Sequence, residues 1–140
     1  MDINILTPVN AAYIAGLIDG EGTVTLTRKH KDEHRHLAVS ISNTELQLLE
    51  FTKQAIGAGK ITRKRTTSPN HTPSYTYAIY NRQALLLIAQ LQPYMLSYKI
   101  RRVNLILEKY IELTPRNGKY SKETAAERRM FENAVLTIKP

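Results

Sequence analysis

Residues 14–22 read IAGLIDGEG, and this stretch decides how the rest of the chain is interpreted. It starts as an apolar helix and ends with two carboxylates, Asp19 and Glu21, set between glycines. The C-terminal end of a helix carries partial negative charge, which disfavours a nearby anion by about 0.3–1 kcal/mol. We therefore expect a positively charged group next to this helix end.

The helix is predicted to begin after Thr7, which is a suitable N-cap, with Pro8 at the first helical position. From residue 9 to residue 18 only Asn10 is strongly polar. A helix that is apolar all round must be covered on more than one side. We therefore predict a largely buried helix.

Small residues recur on one face of this helix, at Ala12, Gly16 and Gly20. Steps of four place them in a stripe that lets another backbone approach closely. A glycine inside a helix costs roughly 0.5–1 kcal/mol relative to alanine, and close contact at Gly16 would explain that cost. The alternative is an ordinary core helix with incidental small residues, because such a stripe is a weak motif outside membranes.

The charge of the chain, +8 with a pI of about 9.8, is unevenly distributed. Residues 1–27 contain three acids and no Lys or Arg, whereas residues 60–65 hold four basic residues and no acid. Basic segments attract phosphate-rich polymers through counterion release. Carboxylates near a phosphate make sense only with a divalent metal between them. The combination indicates metal-assisted chemistry on nucleic acid.

Length and composition indicate one domain over residues 1–140, with 42% hydrophobic residues. We expect a core over about residues 8–113 and a helical extension over about residues 114–140. The chain has no cysteine, which excludes disulfides and thiolate metal sites. No apolar run reaches the ~18 residues of a membrane span, and the start lacks the basic residues of a signal peptide, so we expect an intracellular protein with no membrane partner.

Alternating apolar residues predict two β-hairpins. The first joins residues 23–27 to residues 36–42, and the second joins residues 60–65 to residues 74–80 around a loop over 66–73. With the helices described next, the order is α-β-β-α-β-β-α-α-α. It predicts an α+β fold with a four-stranded antiparallel sheet backed by helices.

Four helices are predicted besides the first. Thr44 and Gln47 form a capping-box signature before the second, Asn81 is a candidate cap for the third, and Ser121 opens the last. The predicted apolar sides are Ile100, Val103, Leu107, Tyr110 and Ile111 in the fourth helix, and Ala126, Met130, Phe131, Ala134 and Val135 in the last.

One face of this sheet is left open, and its side chains are hydrogen-bonding or cationic. They suit base edges in a major groove wide enough for a two-stranded ribbon, so duplex DNA is the predicted partner. An ordinary solvated sheet face is the alternative. Thr76 is a member only in one of two possible registers. The predicted DNA-binding residues are Thr25, Thr27, Lys29, His34, His36, Ser40, Lys60, Thr62, Lys64 and Thr76.

Residues 14–22 resemble the signature of the LAGLIDADG homing endonucleases, with Ile for the first Leu, Gly20 for the second Ala and Glu21 for the final Asp. Residues 56–61 (IGAGKI) and 91–94 (LQPY) are similar to other landmarks of that family. The resemblance covers most of residues 8–113. It implies an αββαββα core whose saddle-shaped sheet binds DNA.

The resemblance also implies how copies of the chain associate. Family members with one copy of the motif are homodimers whose motif helices pack together, and this chain has one copy. Ala12, Gly16 and Gly20 would then form the dimer interface.

Site residues follow from the resemblance position by position. Glu21 would bind Mg²⁺ beside a scissile phosphate, aided by the Gly20 carbonyl. Asp19 would orient the turn rather than bind metal. Lys99 matches the family's active-site lysine, which stabilises charge or positions water, and Asn43 occupies roughly the place of a water-ordering residue.

The implied function is a site-specific endonuclease of the intron-homing type. It would hydrolyse one phosphodiester per subunit with Mg²⁺ and leave 3′ overhangs, with Mn²⁺ expected to substitute and Ca²⁺ expected to bind without supporting cleavage. A strand of eight residues spans roughly 27 Å, or about 8 base pairs. We therefore expect a near-palindromic duplex site of about 16–20 base pairs.

A binding module that does not cut, either an RNA maturase or a transcriptional regulator, is the main alternative. The acid at Glu21 and the base at Lys99 favour the nuclease, because binding alone needs neither. A generic DNA-packaging protein does not explain the glycine-containing helix.

The sequence leaves two possible roles for each of two sets of basic residues, three histidines and two arginines. His30, His34 and His36 suggest zinc only weakly, because the chain lacks cysteine and the histidines follow strand alternation. Arg101 and Arg102 suit either phosphate contacts or a solvated helix face.

Overall fold

The computed structural model describes residues 2–64 and 69–140. The elements are α1 (Pro8–Glu21), β1 (Gly22–Thr27), β2 (His36–Asn43), α2 (Leu46–Ile56), β3 (Lys60–Arg63), β4 (Tyr75–Tyr80), α3 (Asn81–Leu91), α4 (Lys99–Lys109) and α5 (Lys122–Thr137). A short 3-10 helix, Gln92–Tyr94, links α3 to α4. The predicted order is confirmed; Arg65 of the predicted strand and residues 66–68 of the predicted loop lie outside the described residues.

The four strands form one antiparallel sheet in the order β1-β2-β4-β3. Each helix–hairpin unit, α1-β1-β2 and α2-β3-β4, contributes two strands, and the second strands of the two units pair in the centre. This arrangement confirms the predicted α+β fold.

The core lies on one face of the sheet, where α1 and α3 pack. Buried residues alternate along β1 and β4, whereas β2 buries Ala38 between Leu37 and Val39 and β3 has no buried residue. Helices α1 and α3 cover the core face with their own apolar residues. No helix in the described ranges has the length and apolar character of a membrane span. The buried hydrophobic strand residues are Val24, Leu26, Leu37, Ala38, Val39, Ile41, Tyr77 and Ile79.

Both ends of α1 follow from the sequence. The Thr7 hydroxyl accepts a hydrogen bond from the Asn10 N–H at 3.1 Å, which confirms Thr7 as N-cap. After the helix, a Cβ added at Gly22 would lie 2.7 Å from the Cα of Ile18. Only glycine therefore lets β1 begin directly against the last turn of α1.

Two predicted caps are wrong. The capping box of Thr44 and Gln47 is absent, because α2 begins at Leu46 after Glu45, which makes no side-chain cap. Asn81 is the first residue of α3, at φ +56°, and its side-chain oxygen accepts a hydrogen bond from the Tyr110 hydroxyl at 3.4 Å. At Asn81 the Tyr110 hydroxyl thus takes up the side-chain oxygen that the capping prediction assigned to a helix N–H.

The predicted apolar sides of the last two helices are partly wrong. Ile111 is exposed, because α4 ends at Lys109 and its periodicity stops there. Ser121 caps α5 as predicted, accepting from the Thr124 N–H at 3.1 Å. Phe131 and Val135 are buried as predicted. Met130 is 72% exposed, Ala126 and Ala134 are exposed as well, and α5 buries Arg128 and Glu132 in their place.

Candidate functional site

The carboxylate of Asp19 joins the last turn of α1 to the segment before α4. It accepts hydrogen bonds from the N–H groups of Leu96 at 2.8 Å and Ser97 at 3.0 Å. Partial burial raises the pKa of Asp19, but the hydrogen bonds from Ser97 and Leu96 and the charge of Lys99 outweigh it and hold that pKa below its usual value. These contacts support a positioning role for Asp19.

Lys99, the first residue of α4, binds the end of α1 from the other side. Its Nζ donates to the carbonyls of Ile18 at 2.8 Å and Asp19 at 2.9 Å, and the residue is only 9% exposed. Burial lowers the pKa of Lys99, and the charges of Asp19 and Glu21 reduce that shift without cancelling it. Lys99 is thus the positively charged group expected at this negative helix end.

Glu21 is the last residue of α1 and is exposed, unlike Lys99. The last four carbonyls of a helix have no intrahelical donor, and Gly20 contributes one of them directly before Glu21. Carboxylate and carbonyl oxygens suit Mg²⁺, which keeps several waters and needs few protein ligands. The donor set therefore fits Mg²⁺, although residues 2–64 and 69–140 contain no group of three or more His, Cys, Asp or Glu arranged to hold a metal ion.

Asn43 lies at the same end of the sheet as Glu21. Ile41 pairs with Gly22 across the β1–β2 ladder, and Asn43 ends β2 two residues further on. Its side-chain oxygen accepts a hydrogen bond from the Glu45 N–H at 2.8 Å. The amide nitrogen of Asn43 supplies donors with which a water could be oriented.

The predicted interface residues Ala12, Gly16 and Gly20 all lie on the exposed side of α1. A Cβ added at Gly16 or Gly20 would meet nothing within 4 Å. Val9 and Tyr13, on the same side, are 77% and 48% exposed. The chain itself covers one side of α1, and the side that it leaves uncovered is apolar.

The strand register places the predicted outward residues of the sheet on one face. Residues directly opposite each other in an antiparallel pair share a face. Ser40 pairs with Ala78, which pairs with Lys60, and Thr76 pairs with both Ser42 and Thr62. Thr76 therefore points outward. The face comprises Thr25, Thr27, His36, Ser40, Lys60, Thr62 and Thr76, with the exposed residues Lys29 and Lys64 just beyond the strand ends.

The sequence from residue 8 to residue 91 matches the family described as the LAGLIDADG-like domain. The chain belongs to this LAGLIDADG family. The matched region runs from the start of α1 to the end of α3 and contains the whole sheet. The resemblance inferred from residues 14–22 is thereby confirmed.

Solved structures of LAGLIDADG homing endonucleases share the fold. I-CvuI in complex with its target in the presence of 2 mM Ca superposes with a TM-score of 0.75 at 16% identity, covering 94% of this chain and 82% of that chain. A second I-CvuI complex, with 2 mM Mg and DNA not cleaved, has a TM-score of 0.76 at 16% identity and covers 94% of this chain and 82% of that chain. The archaeal intron-encoded I-Vdi141I complexed with DNA has a TM-score of 0.73 at 22% identity, covering 94% of this chain and 85% of that chain.

His34 does not belong to the open face of this LAGLIDADG chain. Its ring stacks on Tyr120 with centroids 4.3 Å apart, and its Nδ1 lies 3.3 Å from a carboxylate oxygen of Glu132. The prediction that His34 points outward is wrong, because it assumed strand alternation at this residue and β2 begins only at His36. His34 therefore faces the C-terminal part of the chain.

Arg101 and Arg102 bind backbone carbonyls near the C-terminus. The Arg102 guanidinium donates to the carbonyls of Val24 at 2.9 Å and Ile138 at 3.0 Å, and Arg101 donates to that of Lys139 at 2.8 Å. Both arginines attach the segment after α5 to α4, which is neither of the two roles predicted from the sequence.

Three further residues with polar side chains lie on the open face and were not among the predicted DNA-binding residues. Thr23 pairs with Ser40, Ser42 forms a 2.8 Å hydrogen bond with Thr76, and Tyr80 pairs with Ala38. The same alternation that identified Ser40 also predicts Thr23 and Ser42 on the outward side. Tyr80 required the register of β4, which the sequence left ambiguous.

Proposed function

We propose that this LAGLIDADG protein is a homodimeric, site-specific DNA endonuclease of the intron-homing type. It binds a long, near-palindromic duplex and hydrolyses one phosphodiester per subunit, leaving 3′ overhangs. The observation that carries the proposal is the exposed carboxylate of Glu21, at the point where the uncovered face of α1 meets the start of β1. The helix end and a DNA backbone both repel such an anion, so it needs a cation there.

The open sheet face supplies the DNA-binding surface. Its hydroxyl and imidazole side chains suit base edges, and Lys29, Lys60 and Lys64 at its margins suit phosphates. β2 has eight residues, which span roughly 27 Å, or about 8 base pairs. Two copies would therefore read about 16–20 base pairs.

The uncovered side of α1 supplies the dimer interface. Glycines at 16 and 20 leave room for a second helix backbone, and Val9 and Tyr13 add apolar area that water otherwise contacts. Packing two copies of α1 side by side would bring both Glu21 carboxylates together. Each carboxylate would then repel the other unless divalent cations lie between them.

Glu21 and the Gly20 carbonyl would hold Mg²⁺. When bound, Mg²⁺ supplies a nucleophilic water of lowered pKa and stabilises the charge that develops on the leaving oxygen. We expect Mn²⁺ to replace it and Ca²⁺ to bind without supporting cleavage. The I-CvuI complexes with calcium and with magnesium support the use of a divalent cation by this fold.

The neighbouring residues hold this arrangement in place. Lys99 fixes the last turn of α1 through two carbonyls and offsets the charge of Glu21. Asp19 ties the same turn to the segment before α4, and Asn43 orients a water through its amide group. A module that only binds DNA would also need Lys99 to hold the end of α1. The presence of Lys99 therefore does not indicate a nuclease, and Glu21 is the residue that does.

Incubation with a randomised duplex library and Mg²⁺, followed by sequencing of the cut ends, tests the proposal. We expect one enriched, near-palindromic site cut on both strands with 3′ overhangs. Enrichment of a bound duplex with no cut ends would instead show a non-cleaving module, such as an RNA maturase or a transcriptional regulator.

A further inference from the structure

A buried pair of charged residues lies where α5 meets the loop between β1 and β2. Arg128 is 1% exposed and Glu132 is 6% exposed, and Nε of Arg128 lies 3.0 Å from a carboxylate oxygen of Glu132. Replacing a buried ion pair by apolar residues is often neutral or stabilising. Stability alone therefore does not account for the pair.

The pair binds both polar groups of a single peptide residue, Arg35. Arg128 donates to the Arg35 carbonyl at 2.6 Å, and Glu132 accepts from the Arg35 N–H at 3.1 Å. Arg35 directly precedes His36, which forms the last β1–β2 pair with Thr27. The pair thus fixes the loop at the residue where β2 begins.

Arg128 also reaches the end of the α4 segment. It donates to the Leu113 carbonyl at 2.7 Å and to the Thr114 hydroxyl, and its guanidinium carbon lies 4.9 Å from the ring centroid of Tyr110. The loop is therefore held against two other parts of the chain, α5 and the segment after α4. Such a contact restricts how far the loop can move relative to the sheet.

The loop that is held this way is basic and internally ordered. Residues 28–31 read RKHK, and the Glu33 carboxylate accepts the N–H groups of Lys29 at 2.6 Å and His30 at 3.1 Å. These hydrogen bonds hold the pKa of Glu33 below its usual value. The loop follows the end of β1, a strand of six residues that places it roughly 20 Å from Glu21.

We propose that Arg128 and Glu132 are positioning residues that hold loop 28–35 against the outer base pairs of each half-site. The inference rests on the proposed function, because it needs the sheet to lie on duplex DNA. A loop ordered before binding loses less conformational entropy when it contacts DNA, and its side chains meet defined positions. Sequence discrimination far from the cleavage point would therefore depend on two buried residues that touch no DNA.

The test combines Arg128→Met and Glu132→Leu in one variant, which removes the ion pair and leaves apolar side chains in its place. Val135→Ala is the matched control, because it loosens the packing of the same helix at a buried residue outside the loop contact. Binding is measured by fluorescence anisotropy with Ca²⁺ in place of Mg²⁺, on the site selected by the wild type and on duplexes that each carry one base-pair substitution.

In the wild type, each substitution is expected to weaken binding about 5- to 150-fold. The double variant should lose most of this discrimination at the outer base pairs, to below about twofold, and keep it at the central ones. Glu132→Gln, which retains an acceptor for the Arg35 N–H, should keep most of the outer discrimination. Val135→Ala should keep the wild-type discrimination at both the outer and the central base pairs.

Two results would overturn the inference. If the double variant keeps its discrimination against substitutions at the outer base pairs, Arg128 and Glu132 have no positioning role. If the double variant and Val135→Ala both lose discrimination equally at outer and central base pairs, the pair contributes only to general stability. A wild type that selects no duplex at all contradicts the proposed function itself, so the two failures are distinguishable.

Discussion

The Nζ of Lys99 lies 2.9 Å from the carbonyl oxygen of Asp19, while the Asp19 carboxylate binds the backbone N–H groups of Leu96 and Ser97, just before Lys99. Each residue thus holds the segment that carries the other. The end of α1 and the start of α4 are locked together by these reciprocal hydrogen bonds. A substitution at either position will therefore change both the stability of the fold and the presentation of Glu21.

Lys99→Met should lower the free energy of unfolding by about 1–3 kcal/mol, because two carbonyls at the helix end lose a charged donor in a buried place. Urea unfolding at neutral pH measures the change. Lys109→Met, in the last turn of the same helix, is the control and should stay within about 0.5 kcal/mol of the wild type. Equal effects of the two substitutions would contradict the capping role of Lys99.

Asp19→Asn should destabilise the protein in a pH-dependent manner. The pKa of Asp19 is lowered in the folded state from an ordinary value of 3.8, so ionised Asp19 contributes stability above pH 3.8. That contribution is lost as the pH falls from there through the lower folded value. The difference between wild type and variant in urea unfolding should therefore be largest above about pH 5 and shrink below it.

A difference that stays constant from neutral pH down to acid unfolding would show that the hydrogen bonds of Asp19 do not depend on its ionisation. Asp32→Asn, which removes an exposed acid from loop 28–35, controls for the change in net charge.

The sequence was sufficient for most of the sheet and for α1. Val24 and Leu26 alternate with threonines, and a threonine followed by proline sets the start of α1, so local periodicity and capping determine these elements. The carboxylate of Glu21 stood out from the sequence pattern itself, whereas Lys99 was found only through the family resemblance. No local pattern brings them together across 78 residues of chain.

Only Phe131 and Val135 of the buried face of α5 could be predicted, because hydrophobicity gives the opposite answer at neighbouring positions. Met130 is apolar and exposed, whereas Arg128 is charged and buried. The backbone carbonyls of Arg35 and Leu113, both distant in sequence, satisfy the guanidinium and reverse the expected orientation. Such a reversal depends on tertiary hydrogen bonds that a helical pattern does not contain.

Glu21→Gln should abolish Mg²⁺-dependent cleavage and leave specific DNA binding nearly intact. The amide has the same shape but no charge, so it loses the cation without disturbing the exposed end of α1. Cleavage is followed on the selected duplex by gel electrophoresis, and binding by anisotropy. Glu108→Gln, an exposed acid on α4, should cut normally, and normal cutting by Glu21→Gln would eliminate Glu21 as the metal ligand.

Gly16→Leu should separate the dimer without unfolding the chain. The new side chain has open space within its own chain, and it removes a helix-interior glycine, so the monomer should gain rather than lose stability, by about 0.5–1 kcal/mol. A second copy of α1 has no room for it. Sedimentation equilibrium at micromolar concentration should show a dimer for the wild type and a monomer for the variant.

Ala89→Leu, which adds a leucine to an exposed position on α3, should leave the dimer intact. A wild type that sediments as a monomer would refute the proposed interface at α1.

Lys60→Gln should reduce the salt dependence of DNA binding. Lys60 is exposed, and its pairing with Ala78 places it on the open face. Its ammonium group can therefore neutralise a phosphate there. The slope of log K against log salt concentration should fall in magnitude by about 0.9 for each lost phosphate contact, or about 1.8 for the two subunits of the dimer, with a similar loss of affinity for every sequence. Binding titrations at several salt concentrations provide the slope.

Arg63 is the matched control for Lys60, because it is exposed on the same strand but belongs to the opposite face, where it pairs with Tyr75. Arg63→Gln removes the same charge from the same strand, so any effect of net charge alone must appear equally in both variants. If only Lys60→Gln changes the slope, the open face is the one that lies on DNA. If Arg63→Gln changes it as much, the contact face of the sheet has been assigned wrongly.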